Sequence, residues 1–383
     1  MDSNSLSQRI VIFFLLSIWS TLHVHCQSHI FTVSQSDAQT NSKQAFLDAW
    51  KKACATNGGT VSVPNGNYQL SDVEFSGPCN GQTRFLLNGT LIAPDVPTPN
   101  LDYWILFRRI NKLTIYGTGT LNGNGASYWN TKHTTTISSL KLVRVNKVSI
   151  KNIHSINSKK FHFNVHKCKG VTIKNIHATA PADSPNTDGI HLGKSDKIRI
   201  SGGNIATGDD CISIGDGVTN MNITGVNCGP GHGISIGSLG KYHSEKEVRS
   251  IRVTNCNFEN TDNGLRIKTF APSPPGLVSD ITFEGNILNN VCNPIIIDQH
   301  YCPHSKCDGG DSSVSIKDVK FIDIRGSSSE ATGVKVDCSR SHPCKGIQLK
   351  GLNLTFNGNP TNALCSSADV IFLGQNQTPS RCS

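Results

Sequence analysis

Four short polar segments, Asn186-Thr187-Asp188-Gly189, Gly208-Asp209-Asp210-Cys211, Gly231-His232-Gly233 and Arg266-Ile267-Lys268, follow one another at intervals of 21 to 34 residues. Stacked, they would bring three carboxylates, an imidazole and two cations to one face. A carboxylic acid beside a carboxylate is the usual equipment for acid/base cleavage of a sugar linkage. The cations suit a substrate that is itself acidic. The single Gly-Asp or Asp-Gly pair is an ordinary turn, so the argument rests on all four segments recurring in this order.

Stacking needs a repeating scaffold, and the chain carries one. Nine segments align: Leu113-Thr-Ile-Tyr-Gly117, Val148-Ser-Ile-Lys-Asn152, Val171-Thr-Ile-Lys-Asn175, Ile198-Arg-Ile-Ser-Gly202, Met221-Asn-Ile-Thr-Gly225, Ile251-Arg-Val-Thr-Asn255, Ile281-Thr-Phe-Glu-Gly285, Val319-Lys-Phe-Ile-Asp323 and Ile347-Gln-Leu-Lys-Gly351. Each begins apolar-x-apolar, the alternation of a strand with one buried face. Each fifth residue is Gly, Asn or Asp, the types that enter the left-handed backbone region at least cost, so each strand ends in a sharp bend. The starts lie 35, 23, 27, 23, 30, 30, 38 and 28 residues apart, as in a solenoid whose coils carry inserted loops of variable length. The expectation is an all-β parallel β-helix, one domain over residues 27–383, with an amphipathic helix around residues 43–54 capping its first coil. Neighbouring coils then lie about 4.8 Å apart, and a substrate laid across the face meets every motif.

Composition sets the compartment. Residues 10–22 form an apolar run of about 13, too short to span a bilayer and suited to a signal peptide cleaved after Cys26. No later run suggests a membrane span. Asn88, Asn222, Asn353 and Asn376 each begin an Asn-x-Thr acceptor for glycosylation. Fourteen cysteines indicate an oxidising environment. Short loops favour Cys302–Cys307, Cys338–Cys344 and Cys365–Cys382, with Cys211–Cys228 between neighbouring coils and Cys54–Cys79 at the cap. Cys168, Cys256 and Cys292 remain, and after removal of Cys26 the count is odd, so a buried, inert thiol is expected. Zinc at Tyr301-Cys-Pro-His-Ser-Lys-Cys307 has no second matching pair nearby. No metal or cofactor is expected. The formal charge of +9 suits polyanions, and without basic runs interleaved with aromatics it does not point to nucleic acid.

The segments Asn186-Thr-Asp-Gly-Ile-His191, Thr207-Gly-Asp-Asp-Cys211, Gly231-His-Gly-Ile-Ser-Ile-Gly-Ser-Leu-Gly240 and Gly264-Leu-Arg-Ile-Lys268, with Asp298-Gln-His-Tyr-Cys302, closely resemble the motifs of polygalacturonases, the pectin-cleaving glycoside hydrolases of family 28. The resemblance covers roughly residues 45–382. It implies a right-handed parallel β-helix and inverting hydrolysis of α-1,4 bonds between galacturonates. It implies a secreted, monomeric enzyme of the cell wall with pectin as its partner.

Residue by residue, the resemblance makes Asp209 the acid that protonates the glycosidic oxygen and gives Asp188 and Asp210 the attacking water. His232 supports the acid's protonation state. Arg266 and Lys268 hold a substrate carboxylate, Tyr301 positions the sugar, and Asn186, which opens the first motif, is a further substrate-binding residue. Repulsion within the carboxylate cluster is expected to raise the pKa of at least one member. Adjacent coils would separate acid and base by about 5 Å, the retaining distance rather than the inverting one, so the bend at Gly208 is expected to re-aim Asp209. The N-terminal stretch of residues 31–42 lacks the Gly-Ala-x-Gly-Asp-Gly-like pattern usual in plant members, which leaves first-coil packing open. The stretches 229–242 and 301–307 resemble plant enzymes, and pollen-type exopolygalacturonases most. Endo action, a rhamnogalacturonan or xylogalacturonan specificity, a pectate lyase and a non-catalytic wall-binding protein are the alternatives. A lyase would need calcium-binding carboxylates and an arginine base.

Overall fold

In the computed structural model the described residues are 29–34, 43–130, 137–303 and 309–383. The signal peptide expected over residues 1–26 and most of the divergent stretch 31–42 therefore lie outside them. What is described of that stretch packs normally: Ile30–Thr32 pairs in parallel with Thr60–Ser62, and Val33 is buried.

The described chain winds into two sheets, one of 23 strands and one of 11, parallel throughout except for a short antiparallel pairing of Asn359–Pro360 with Asn353–Phe356. Leu113, Val148, Val171, Ile198, Met221, Ile251, Ile281, Val319 and Ile347 form one unbroken register ladder through the larger sheet. All nine side chains are buried. These are the first residues of the nine repeats aligned in sequence, so the alternation had already set the register. Full burial of such an aliphatic side chain contributes about 1.5–3 kcal/mol, and repeating it at every coil makes the interior a continuous apolar column. The fifth residues all have positive φ, from 49° at Asn175 to 131° at Gly117.

Helix α1 (Lys43–Ala55) buries Phe46, Ala49, Trp50, Ala53 and Cys54, an i, i+3, i+4, i+7, i+8 stripe. Trp50 meets Phe75 and Phe107 at ring-centroid distances of 5.2 and 5.6 Å, and Phe46 meets Tyr68 at 6.1 Å. This aromatic plug closes the first coil, and Cys54–Cys79 ties the helix to it. Cys211–Cys228, Cys338–Cys344 and Cys365–Cys382 are also bonded, whereas Cys307 of the expected Cys302–Cys307 pair lies outside the described residues. Cys168 and Cys256 are buried free thiols, and Cys292 is free and half-buried. Asn88, Asn222, Asn353 and Asn376 are all exposed. No helix among the described residues is long and apolar enough to cross a membrane.

Candidate active site

The smaller sheet positions the four motifs. Its strand β1 (Ile190–Gly193) follows Asp188, β2 (Ile212–Ile214) follows Asp209 and Asp210, β3 (Ile234–Leu239) follows His232, and β4 (Asn263–Phe270) carries Arg266 and Lys268. The register stacks Ile190, Ile212, Ile234 and Leu265 inward, and between them His191, Ser213, Ser235 and Arg266 outward. At Gly208 the chain passes so close to Ser184 that an added Cβ would lie 2.1 Å from its carbonyl oxygen. Only glycine fits there, and the two aspartates beyond it part company.

Asp210 turns inward, with its side chain 3% exposed. Its Oδ1 accepts hydrogen bonds from Ser235 Oγ and Arg266 Nη2, both at 2.7 Å, and its Oδ2 accepts one from Lys268 Nζ at 2.9 Å. Burial works against its charge, but Lys268 and Arg266 overcome it and hold the carboxyl at about 2. Arg266 Nε also reaches Ser235 Oγ at 2.8 Å. Both cations are buried, and their first partner is this aspartate.

Asp188 is 8% exposed and takes a different bond: Ser213 Oγ donates to its Oδ2 at 2.5 Å, and His191 Nδ1 lies 2.7 Å from that same Oγ. Phe161 stacks on His191 with centroids 4.1 Å apart. Burial raises the Asp188 carboxyl to about 6; the His191 imidazole, 3.6 Å away, pulls it down, and Asp209 and Asp210 push it up. Repulsion within the cluster thus acts as expected, but burial is the larger cause and Asp188 is the member lifted.

Asp209 is the most open of the three, 21% exposed. Its Oδ1 lies 3.0 Å from His232 Nδ1, and His232 Nε2 lies 3.3 Å from Asp262 Oδ2. The hydrogen bond to Asp209 raises the His232 pKa above its ordinary value, against burial. Lys160 Nζ lies 3.3 Å from Asn186 Oδ1; burial lowers its pKa, and the charges of Asp209 and Asp188 raise it. Tyr301 lies beside the site, with Lys268 Nζ 5.2 Å from its ring centroid.

Every site residue expected from sequence therefore lies in or beside one cluster, and five more join it: Lys160, His191, Ser213, Ser235 and Asp262. The repeated Ile212-Ser-Ile214 and Ile234-Ser-Ile236 carried a signal for the two serines, since the middle residue of such a strand faces away from the core. Two sets of ligand-type atoms lie within 4.8 Å of one another among the described residues, Asp209–Asp210–His232 and Asp298–His300–Asp337. In the first, both Asp210 oxygens are already taken by cations. A groove of about 670 Å³ lies elsewhere, on the outer face of the larger sheet around Lys197, Arg199 and Arg252. It holds no carboxylate cluster and is not where acid/base chemistry would occur.

An open, histidine-bonded aspartate beside two enclosed ones on a parallel β-helix supplies the groups that acid/base hydrolysis needs. Residues 54–375 match the model of glycosyl hydrolases family 28, and the chain belongs to that family. An exopolygalacturonase of Platanus acerifolia is 42% identical over 94% of this chain and 99% of its own length. A polygalacturonase of Medicago sativa is 41% identical over 91% and 87%. An endo-xylogalacturonan hydrolase of Aspergillus tubingensis superposes with a TM-score of 0.78 at 20% identity, covering 91% of this chain and all of that one. The fold is the right-handed parallel β-helix, and the protein is a glycoside hydrolase.

Proposed function

We propose that the protein hydrolyses α-1,4-galacturonosyl bonds of pectin or polygalacturonate with inversion, acting at the chain end, in the cell wall after secretion, as a monomer. One observation carries the division of labour: of three clustered carboxylates, Asp209 is the most exposed to solvent, and it shares a hydrogen bond with a histidine whose proton affinity is raised. Asp209 gives its proton to the glycosidic oxygen as the bond to the anomeric carbon breaks. Asp188, with Asp210 beside it, takes a proton from the water that attacks that carbon from the opposite face. Asp210 stays ionised and supplies a fixed negative charge near the developing positive sugar ring. Arg266 and Lys268 hold Asp210 and turn their remaining N–H groups toward a sugar carboxylate, and Tyr301 lies where it can support that sugar. Lys160 and Asn186 bound the site from the preceding coils.

Chain-end action is supported by relatives named exopolygalacturonases that align over 90% or more of this chain. The decisive experiment is to incubate the secreted protein with polygalacturonate and resolve products by size over time, alongside Asp209→Asn. The amide keeps the shape but has no proton to give, so kcat should fall at least about a thousandfold with little change in binding. Retention of more than a tenth of wild-type turnover by the folded variant would remove Asp209 from the acid's role.

A further inference from the structure

Where four successive smaller-sheet strands of the early coils bend into the larger sheet, the chain places a cation; after the strand before them, Gly77 takes that position instead. Arg109, Arg144, Lys167 and Lys194 occupy the same position on four successive coils: each backbone N–H donates to the chain of the next coil, to Val143, His166, Gly193 and Asp216 respectively. Three residues further on, Lys112, Lys147 and Lys197 repeat the pattern. All seven have φ between 51° and 62°. Lysine and arginine are poor choices for that backbone, which favours Gly, Asn or Asp. The chain uses just those three types at the nine opposite bends described above. In the later coils the second position becomes Asn220, Ser250, Asp280 and Asp318, so neither the bend nor the fold requires a cation.

Charge is therefore concentrated on one edge of the early coils, and little there opposes it. Of the seven, only Lys194 has an ion pair, with Asp216 at 3.6 Å. The other six are exposed and unpaired among the described residues. At the strand repeat, Lys194 is about 20 Å along β1 from Asp188, so the edge is separate from the catalytic carboxylates.

We propose that this edge is a second binding surface for de-esterified galacturonan, gripping the polymer away from the catalytic carboxylates. Cations recurring once per coil, about 4.8 Å apart, form a row matched to a linear chain that carries one carboxylate per sugar. A polymer held there keeps its end near the groove at high effective concentration, an advantage that an oligomer too short to reach both places lacks. The choice of polymer rests on the proposed activity; the cationic surface does not.

The test is the triple variant Arg109→Asn, Arg144→Asn and Lys167→Asn. Asparagine suits left-handed backbone better than the residues it replaces, so the melting temperature should hold or rise, and loss of binding would not reflect unfolding. On immobilised polygalacturonate the slope of log affinity against log salt should fall by about two, since each of the three paired cations releases about 0.7 of a counterion from a single-stranded polyanion. KM for polygalacturonate should rise at least about threefold, the loss of an effective-concentration gain, with kcat/KM on trigalacturonate unchanged within about twofold. An unchanged salt slope, or equal losses on trimer and polymer, would overturn the proposal. A larger loss of retention on DNA than on galacturonate would overturn the choice of partner. Charge-dependent retention of a wild-type protein that cleaves no galacturonate would sink the activity and leave the surface standing.

Discussion

Asp188 and Asp210 lie in the same cluster, yet their surroundings move them in opposite directions, and pH should tell them apart. Asp188, raised to about 6, faces Ser213 and His191, the carboxylates of Asp209 and Asp210, and the Lys160 ammonium. Its carboxyl binds a proton more tightly folded than unfolded, so its contribution to stability is full below about pH 4 and lost as pH rises to about 6. Asp188→Asn should therefore gain melting temperature relative to wild type between pH 4.5 and 7, while losing activity. A difference that does not grow with pH would contradict the raised value. As a base Asp188 must be ionised, which puts an acidic limb near pH 6 in kcat/KM. Replacing His191 by Phe removes the imidazole that pulls Asp188 down, and that limb should shift upward; a uniform loss at every pH would reduce His191 to packing. Asp210 is the reverse case, contributing stability above about pH 4 that is lost only as pH falls toward 2. Lys268→Ala should accordingly impair turnover of both acidic and methyl-esterified substrates, because it loosens Asp210 whatever the substrate carries. Removing a partner from a buried ion pair costs about 3–5 kcal/mol, and the retained Arg266 should keep the loss in melting stability below that.

At the scale of the elements, the larger sheet was legible from sequence because its alternation and its bends repeat locally. Leu113 through Ile347 align in sequence just as they stack in space, and the residues ending each segment take the backbone their types allow. The smaller sheet was harder to read. β2 is three residues long and β1 only four, too short for periodicity to stand out. The aspartates were found by type and spacing, but His191 with Ser213, and Asp262 with His232, meet across coils. Such contacts depend on how one coil sits on the next, which no local pattern encodes. The N-terminal helix was legible from its stripe, and its boundaries agree to one residue. The bends also allow a graded test. Gly225 has φ 64° and open space around its missing side chain, so Gly225→Ala should cost about 1–2 kcal/mol of backbone strain alone, and Gly225→Asn less. At Gly233, beside His232, an added Cβ would lie 2.0 Å from the Asn263 carbonyl oxygen, so Gly233→Ala should cost several times more and abolish activity. Denaturant midpoints of the three variants would check the order.

For the whole molecule, the mode of cleavage depends on what closes the groove. If it is shut beyond the terminal sugar, monogalacturonate should leave one end while viscosity falls slowly and reducing ends accumulate. A rapid early drop in viscosity with mixed oligomers would establish endo action and leave the acid/base assignment untouched.

The four motifs lie at the starts of, or within, four successive strands of one sheet, β1 to β4, each stacked on the last with no strand between them. The reaction is thus confined to one short stretch of the solenoid, and the winds before and after it are separable from it. Lengthening or shortening the molecule by a whole wind at either end would change how many sugars it can span, like adding or removing marks on a ruler, without moving an atom of the reacting group. Substrate length and bond chemistry are written in different parts of the same coil, free to diverge independently.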